Sequence, residues 1–173
     1  MMNINAEIWK LVKELNTQNV KFVICGSFAC ILQGVKKETN DLDIYLHPEQ
    51  ENTEKLLKAI KILELQPAVP YPVEELPRLI LNSEWQIEYG AMMYRFSMPG
   101  THTRLHILLT YPLPFYDIYL RANIMHVNGL NIAVSSKEDL IYAKSMIIPP
   151  RDSDLADRSA LESMTEGKQN LFA

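Results

Sequence analysis

Cysteine is scarce in this sequence: Cys25 and Cys30 are the only two among 173 residues. No second pair exists to complete a zinc site, so both are expected to be buried, reduced thiols. Long apolar runs are missing too. None approaches the roughly 18 residues that a bilayer-spanning helix needs. The amphipathic N-terminus also lacks the compact apolar block and small-residue cleavage site of a signal peptide. The expectation is a cytoplasmic protein with no membrane partner. Nor is there an excess of positive charge: 17 Lys and Arg stand against 21 Asp and Glu, giving a net charge of −4. That excludes a protein coated in nucleic-acid-binding charge but leaves room for a local basic groove.

What is present is an ordinary globular composition, 47% hydrophobic and 22% charged, enough to bury a real core. One domain over 1–164 is expected, with a core at about 20–110, a C-terminal part at about 113–164 and a frayed tail at 165–173. Ile4, Ile8, Leu11 and Leu15 predict an amphipathic helix over about 5–16. Lys21–Cys25 reads as a buried strand, and Phe28–Gln33 as a short helix capped by Gly34. A longer helix through Leu56, Leu57, Ile60 and Leu63 is expected to begin near Pro48 or Glu49. Pro67, Pro70, Pro72 and Pro77 then predict a connection without regular structure.

A hairpin around Gly90, between Trp85 and Met98, and a strand over Arg104–Thr110 are expected to extend the sheet. Asn128-Gly129, between Ile124–Val127 and Leu130–Val134, is the strongest short hairpin signal, because both turn positions tolerate positive φ. Ser135 and Glu138 form the capping-box pattern ahead of a helix that Pro149 and Pro150 end, and a last helix is expected over Asp154–Met164.

Asp41-Leu42-Asp43-Ile44 carries the chemistry. Strand side chains alternate, so Asp41 and Asp43 share one face while Leu42, Ile44 and Leu46 share the other. Two neighbouring carboxylates repel, and a bound Mg²⁺ or Mn²⁺ is the usual relief; solvated acids at a strand end are the bland alternative.

Cys25-Gly26-Ser27 followed, after the thirteen residues Phe28–Asn40, by Asp41-Leu42-Asp43-Ile44 resembles the signature of the nucleotidyltransferase superfamily. Further along, Phe115–Ala122, the Asn-Gly hairpin, Ser136–Ile141 with Lys144, then Arg151 and Asp154-Leu155-Ala156-Asp157 resemble the branch of abortive-infection toxin nucleotidyltransferases, in the same order. The resemblance implies an α/β (α+β) fold: a polymerase-beta-like mixed β-sheet flanked by helices, with a C-terminal β-hairpin and helices. It implies an enzyme that transfers a nucleoside monophosphate from an NTP to a hydroxyl of an RNA, such as tRNA, or of a protein. A toxin-like role with a cognate antitoxin or other partner protein goes with that branch.

The implied roles are metal binding and catalysis for Asp41 and Asp43, and nucleotide binding for Gly26, Ser27, Lys144, Arg151, Asp154 and Asp157. The family's third acid falls on His106, within Arg104–Thr110. A neutral imidazole brings no negative charge and suits softer metals than Mg²⁺. His106 is therefore either a softer ligand or a base for the acceptor hydroxyl, or the mark of a degenerate fold kept as a nucleotide-binding or protein-interaction module. Glu84 and Glu88 are the nearest alternative acids. Lys36, Lys37 and Arg104 are candidates for a phosphate or RNA path, His47, His102 and His126 are assigned structural roles, and a sugar- or antibiotic-directed transferase is a third reading.

Overall fold

The computed structural model describes residues 5–82, 84 and 93–169, with side chains as far as 165. A seven-stranded mixed sheet forms the centre. In chain order the elements are α1 (Ala6–Thr17), β1 (Phe22–Cys25), α2 (Gly26–Leu32), β2 (Asp41–Leu46), α3 (Gln50–Ile62), β3 (Gln66–Pro67) and α4 (Leu76–Leu81). Then follow β4 (Met93–Ser97), β5 (Arg104–Leu108), α5 (Phe115–Arg121), β6 (Asn123–Val127), β7 (Leu130–Val134), α6 (Lys137–Ser145) and α7 (Asp152–Gln169). The strands lie in the order β3-β4-β5-β2-β1-β7-β6. β2 runs parallel to β5 and β1 parallel to β7, while the other neighbours are antiparallel. This is the mixed α/β fold with a C-terminal hairpin that the sequence implies.

Alternation along β2 holds: Leu42, Ile44 and Leu46 are buried, and Asp41, Asp43 and Tyr45 face the opposite side. The apolar side packs with Ile8, Leu11 and Leu15 of α1 and with Leu56 and Ile60 of α3 in the main core. On the other face a smaller cluster of Val23, Cys25, Phe115 and Ile118, with Tyr45 and Ala133 against it, puts α5 over the lower sheet.

Several local expectations change. Pro77 sits in the first turn of α4, where its missing N–H costs nothing, and Val73–Glu75 form a 3₁₀ turn before it, so the proline-rich stretch is not structureless. Pro67 ends the two-residue edge strand β3, the sheet position that tolerates proline. The cap of α6 is Ser136, whose Oγ accepts from the Asp139 N–H at 3.1 Å, rather than Ser135 with Glu138. α2 starts two residues early, at Gly26, and α7 starts at Asp152 and continues to Gln169, into the segment expected to fray. β5 stops at Leu108, short of Thr110. The first arm of the hairpin expected around Gly90 lies outside the described residues, as does Glu88. The Asn-Gly turn forms as anticipated, with φ of 51° and 78°.

Candidate active site

Strand register assembles the site. Antiparallel pairing sets Cys25 opposite Asp43, so the turn leaving β1 passes directly beside that carboxylate. Gly26 has φ +62°, and a Cβ built there would stand 2.0 Å from Asp43 Oδ2 and 2.7 Å from Cγ. Only glycine allows this backbone and this approach together. Parallel pairing of β2 with β5 sets Asp41 beside Arg104 and Asp43 beside His106.

Asp41 accepts two bonds from Arg104, at 2.6 Å from Nε and 3.0 Å from Nη2. That pairing raises the guanidinium above its already high ordinary value. His106 Nδ1 lies 2.8 Å from Asp43 Oδ1. Its Nε2 is buried and has no hydrogen-bond partner among the described residues, in a residue only 8% exposed. Asn5 steadies the entrance: its amide reaches Asn40 Oδ1 and Thr103 Oγ1, both at 3.0 Å, joining the loops that lead into β2 and β5.

A second cluster stands beside Ser27. Lys37 Nζ donates to Ser27 Oγ at 3.0 Å and to both oxygens of Asp157 at 2.8 and 2.7 Å. Lys144 Nζ lies 2.8 Å from Asp157 and 3.2 Å from Asp154, and Arg151 Nε donates to Asp154 at 2.6 Å. Burial pushes the Lys144 ammonium down, but the hydrogen bonds it donates to Asp157 and Asp154 more than offset it and hold it above its ordinary value. Burial likewise raises Asp154, and Arg151 and Lys144 outweigh it, leaving the carboxyl below its ordinary value.

Of the residues assigned to nucleotide binding, Lys144, Asp154 and Asp157 are thus buried and paired with one another, while the Arg151 side chain is 70% exposed. Lys37, which the sequence marked only as a general basic candidate, is the residue that joins this cluster to Ser27. No local pattern announces it, because its partner lies 120 positions away.

Elsewhere, His47 Nε2 contacts the Tyr116 hydroxyl at 2.5 Å within an aromatic cluster, a structural setting. Cys25 and Cys30 are buried and free. Burial pushes the Cys30 thiol up to about 11, so neither its protonation nor its access favours reactivity.

Asp41 and Asp43 present two carboxylates on one face, which fits a single hard cation completed by waters and phosphate oxygens. A cation there would displace Arg104 from Asp41. Among the described residues, no group of three His, Cys, Asp or Glu is placed to hold a metal together. Two carboxylates are the hard donors this corner offers an ion, and among the described residues no third carboxylate joins them. No described helix is long and apolar enough to cross a membrane.

No family model matches the sequence, and no curated protein matches it. Solved structures do. The antibiotic-resistance factor ANT(2″)-Ia aligns over 95% of this chain and 92% of its own, with 11% identity and a TM-score of 0.52. Its complex with adenylyl-2″-tobramycin aligns over 97% and 98%, again at 11% and 0.52. A Thermotoga maritima protein classed by inference as a nucleotidyltransferase covers 96% of each chain at 15% identity and a TM-score of 0.53. Across nearly its whole length, then, this chain shares its fold with nucleotidyltransferases.

Proposed function

We propose that the protein transfers a nucleoside monophosphate from an NTP to a hydroxyl of an RNA or protein acceptor. The observation that carries this reading is the seating of Asp43 against the bare face of Gly26. A turn that only glycine can make, and that brings backbone directly against a carboxylate, suits a phosphate- and metal-binding corner better than a plain structural turn. Asp41 and Asp43 would hold a Mg²⁺ or Mn²⁺ ion, which when bound supplies neutralisation of triphosphate charge.

The chain's own residues do the rest. The backbone of Gly26 and Ser27 offers N–H groups that no side chain caps. Lys37, held 3.0 Å from Ser27 Oγ, brings a compact positive charge to the same place. Arg151 and the buried Lys144 hold Asp154 and Asp157 rigid behind Lys37, so the charge is fixed in position before substrate arrives. In the transfer, the acceptor hydroxyl gives up its proton to a base or to water as its oxygen bonds to the α-phosphorus, the bond from that phosphorus to the oxygen bridging the β-phosphate breaks, and pyrophosphate leaves. A toxin-like action on tRNA, restrained by a cognate antitoxin, rests on the sequence resemblance alone.

A second reading has its own observation: both aspartates already have cationic or imidazole partners, as expected of a nucleotide-binding or protein-interaction module that has lost transfer. The two readings separate on labelled NTPs offered with total RNA and protein in Mg²⁺ and Mn²⁺. Wild type is expected to label an acceptor, and Asp43→Ala to lower labelling by about 10²–10³-fold, as removal of a main electrostatic group does. Absence of labelling with every nucleotide, joined to absence of metal-dependent nucleotide binding, overturns the enzyme reading. Activity appearing only in His106→Asp establishes the degenerate site.

A further inference from the structure

The two carboxylates of β2 are neutralised in unlike ways. Asp43 divides its oxygens between two neighbours: Oδ1 takes the contact with His106 Nδ1, and Oδ2 faces Gly26. Asp41 gives both of its oxygens to one group, the Arg104 guanidinium. His106 is buried, whereas the Arg104 side chain is 50% exposed and that of Asp41 26%. Among the described residues, Asp41 is the only hydrogen-bond partner of the Arg104 side chain.

These settings decide which pair gives way. Breaking the buried contact of Asp43 with His106 leaves polar groups out of reach of water, which is costly. Breaking a half-exposed ion pair returns both partners to water, so the pair is worth little. Releasing Asp41 is also enough to admit a cation. It frees two oxygens on the face shared with Asp43, and Asp43 Oδ2 accepts no hydrogen bond among the described residues. A released Arg104 then stands beside a divalent charge that repels it. Asp43, the other acid whose charge acts on it, is by then committed to that ion. The guanidinium needs an anion, and its planar fork fits phosphate oxygens as well as it fits a carboxylate.

We infer that Arg104 is an exchangeable counterion: it holds Asp41 until a divalent cation takes that carboxylate, then turns to the phosphate oxygens that accompany the cation. Arg104 therefore opposes the bare ion and favours the ion together with a polyphosphate, which couples the binding of metal to the binding of nucleotide. The inference rests on the metal and phosphate part of the transfer reading and not on transfer itself. It also gives a use to the partner of Asp41, which in a site kept only for protein contact has none beyond neutralising a charge.

The test is calorimetric titration of the full chain with Mn²⁺ alone, and with inorganic tripolyphosphate in saturating Mn²⁺, a probe that carries no base to be matched. Arg104→Gln is expected to bind Mn²⁺ alone about tenfold more tightly than wild type, having lost both the competing bond and the repelling charge. The same variant is expected to bind tripolyphosphate about tenfold more weakly. Arg104→Lys keeps the charge without the fork and should fall between the two in both titrations. Lys58→Gln removes an exposed charge on α3, across the sheet, and should change neither. The Arg104 Nε–H resonance, assigned by its loss in Arg104→Gln, is expected to move as Mg²⁺ is added to wild type. A stationary resonance, a Mn²⁺ affinity that Arg104→Gln leaves unchanged or lowers, or tripolyphosphate binding that ignores Arg104 overturns the proposal. Absence of Mn²⁺ binding in wild type and Arg104→Gln alike does the same. Labelling of acceptors, read separately, tests the transfer reading: its absence with both affinity changes present sinks that reading and leaves this one standing.

Discussion

Gly26→Ala is expected to slow transfer by about 10²-fold while leaving a folded protein. The new methyl would lie 2.0 Å from Asp43 Oδ2 and 3.0 Å from its Cβ, so no rotation of the carboxylate alone clears it. Asp43 must move as a whole, and with it the bond to His106. Displacing a reacting group by about 1 Å costs on the order of 10²-fold in rate. Holding alanine at φ +62° adds about 1–2 kcal/mol of backbone strain. Single-turnover transfer and urea denaturation on one preparation separate the two effects. A variant of near-normal activity would show that Asp43 has room the structure denies it.

Lys144→Met is expected to produce the largest loss of stability, about 3–5 kcal/mol, because it strips a buried cation from two buried carboxylates. The lower end of that range applies, since Asp157 keeps Lys37 and Asp154 keeps Arg151. Asp157→Asn in the same chain is expected to recover part of the loss, because it removes one of the stranded charges.

pH dependence follows the same groups. Asp154 has its folded value depressed, so its contribution is complete above the ordinary value of 3.8 and disappears as pH falls through the lowered one. Lys144 has its folded value raised, so its contribution is complete below 10.5 and disappears as pH rises through the raised one. Wild-type stability from chemical denaturation should therefore fall at both extremes. Lys144→Met should flatten the alkaline fall and keep much of the acid one, through Arg151. An unchanged alkaline limb would show that Lys144 is not the group responsible.

The parts of the site legible from sequence were those with local periodicity. Alternation alone placed Asp41 and Asp43 on one face of β2, and the Asn-Gly pair alone located the β6–β7 turn. The contact between Gly26 and Asp43 depends on antiparallel register between β1 and β2, which alternation does not specify. Arg104 was visible as a nearby base but not as the clamp on Asp41, because only the parallel pairing of β2 with β5 brings them together. The α6 cap slipped by one because Ser135 with Glu138 and Ser136 with Asp139 satisfy the same pattern. The prolines misled for a different reason: proline breaks a helix interior but suits its first turn, and position within a helix not yet located cannot be read from the residue.

The bridge between the two loops, Asn5 to Asn40 and Thr103, also bears on how the chain acquires its chemistry. Those contacts span 35 and 98 positions, and the bonds of Asp41 and Asp43 to Arg104 and His106 span 63. Closing loops of that length comes late in folding, after local helices and the adjacent β1–β2 pair. During synthesis both aspartates therefore leave the ribosome well before the strand that orients them. A chain interrupted before β5 carries the whole Gly-Ser and Asp-x-Asp signature but lacks the partners that align it.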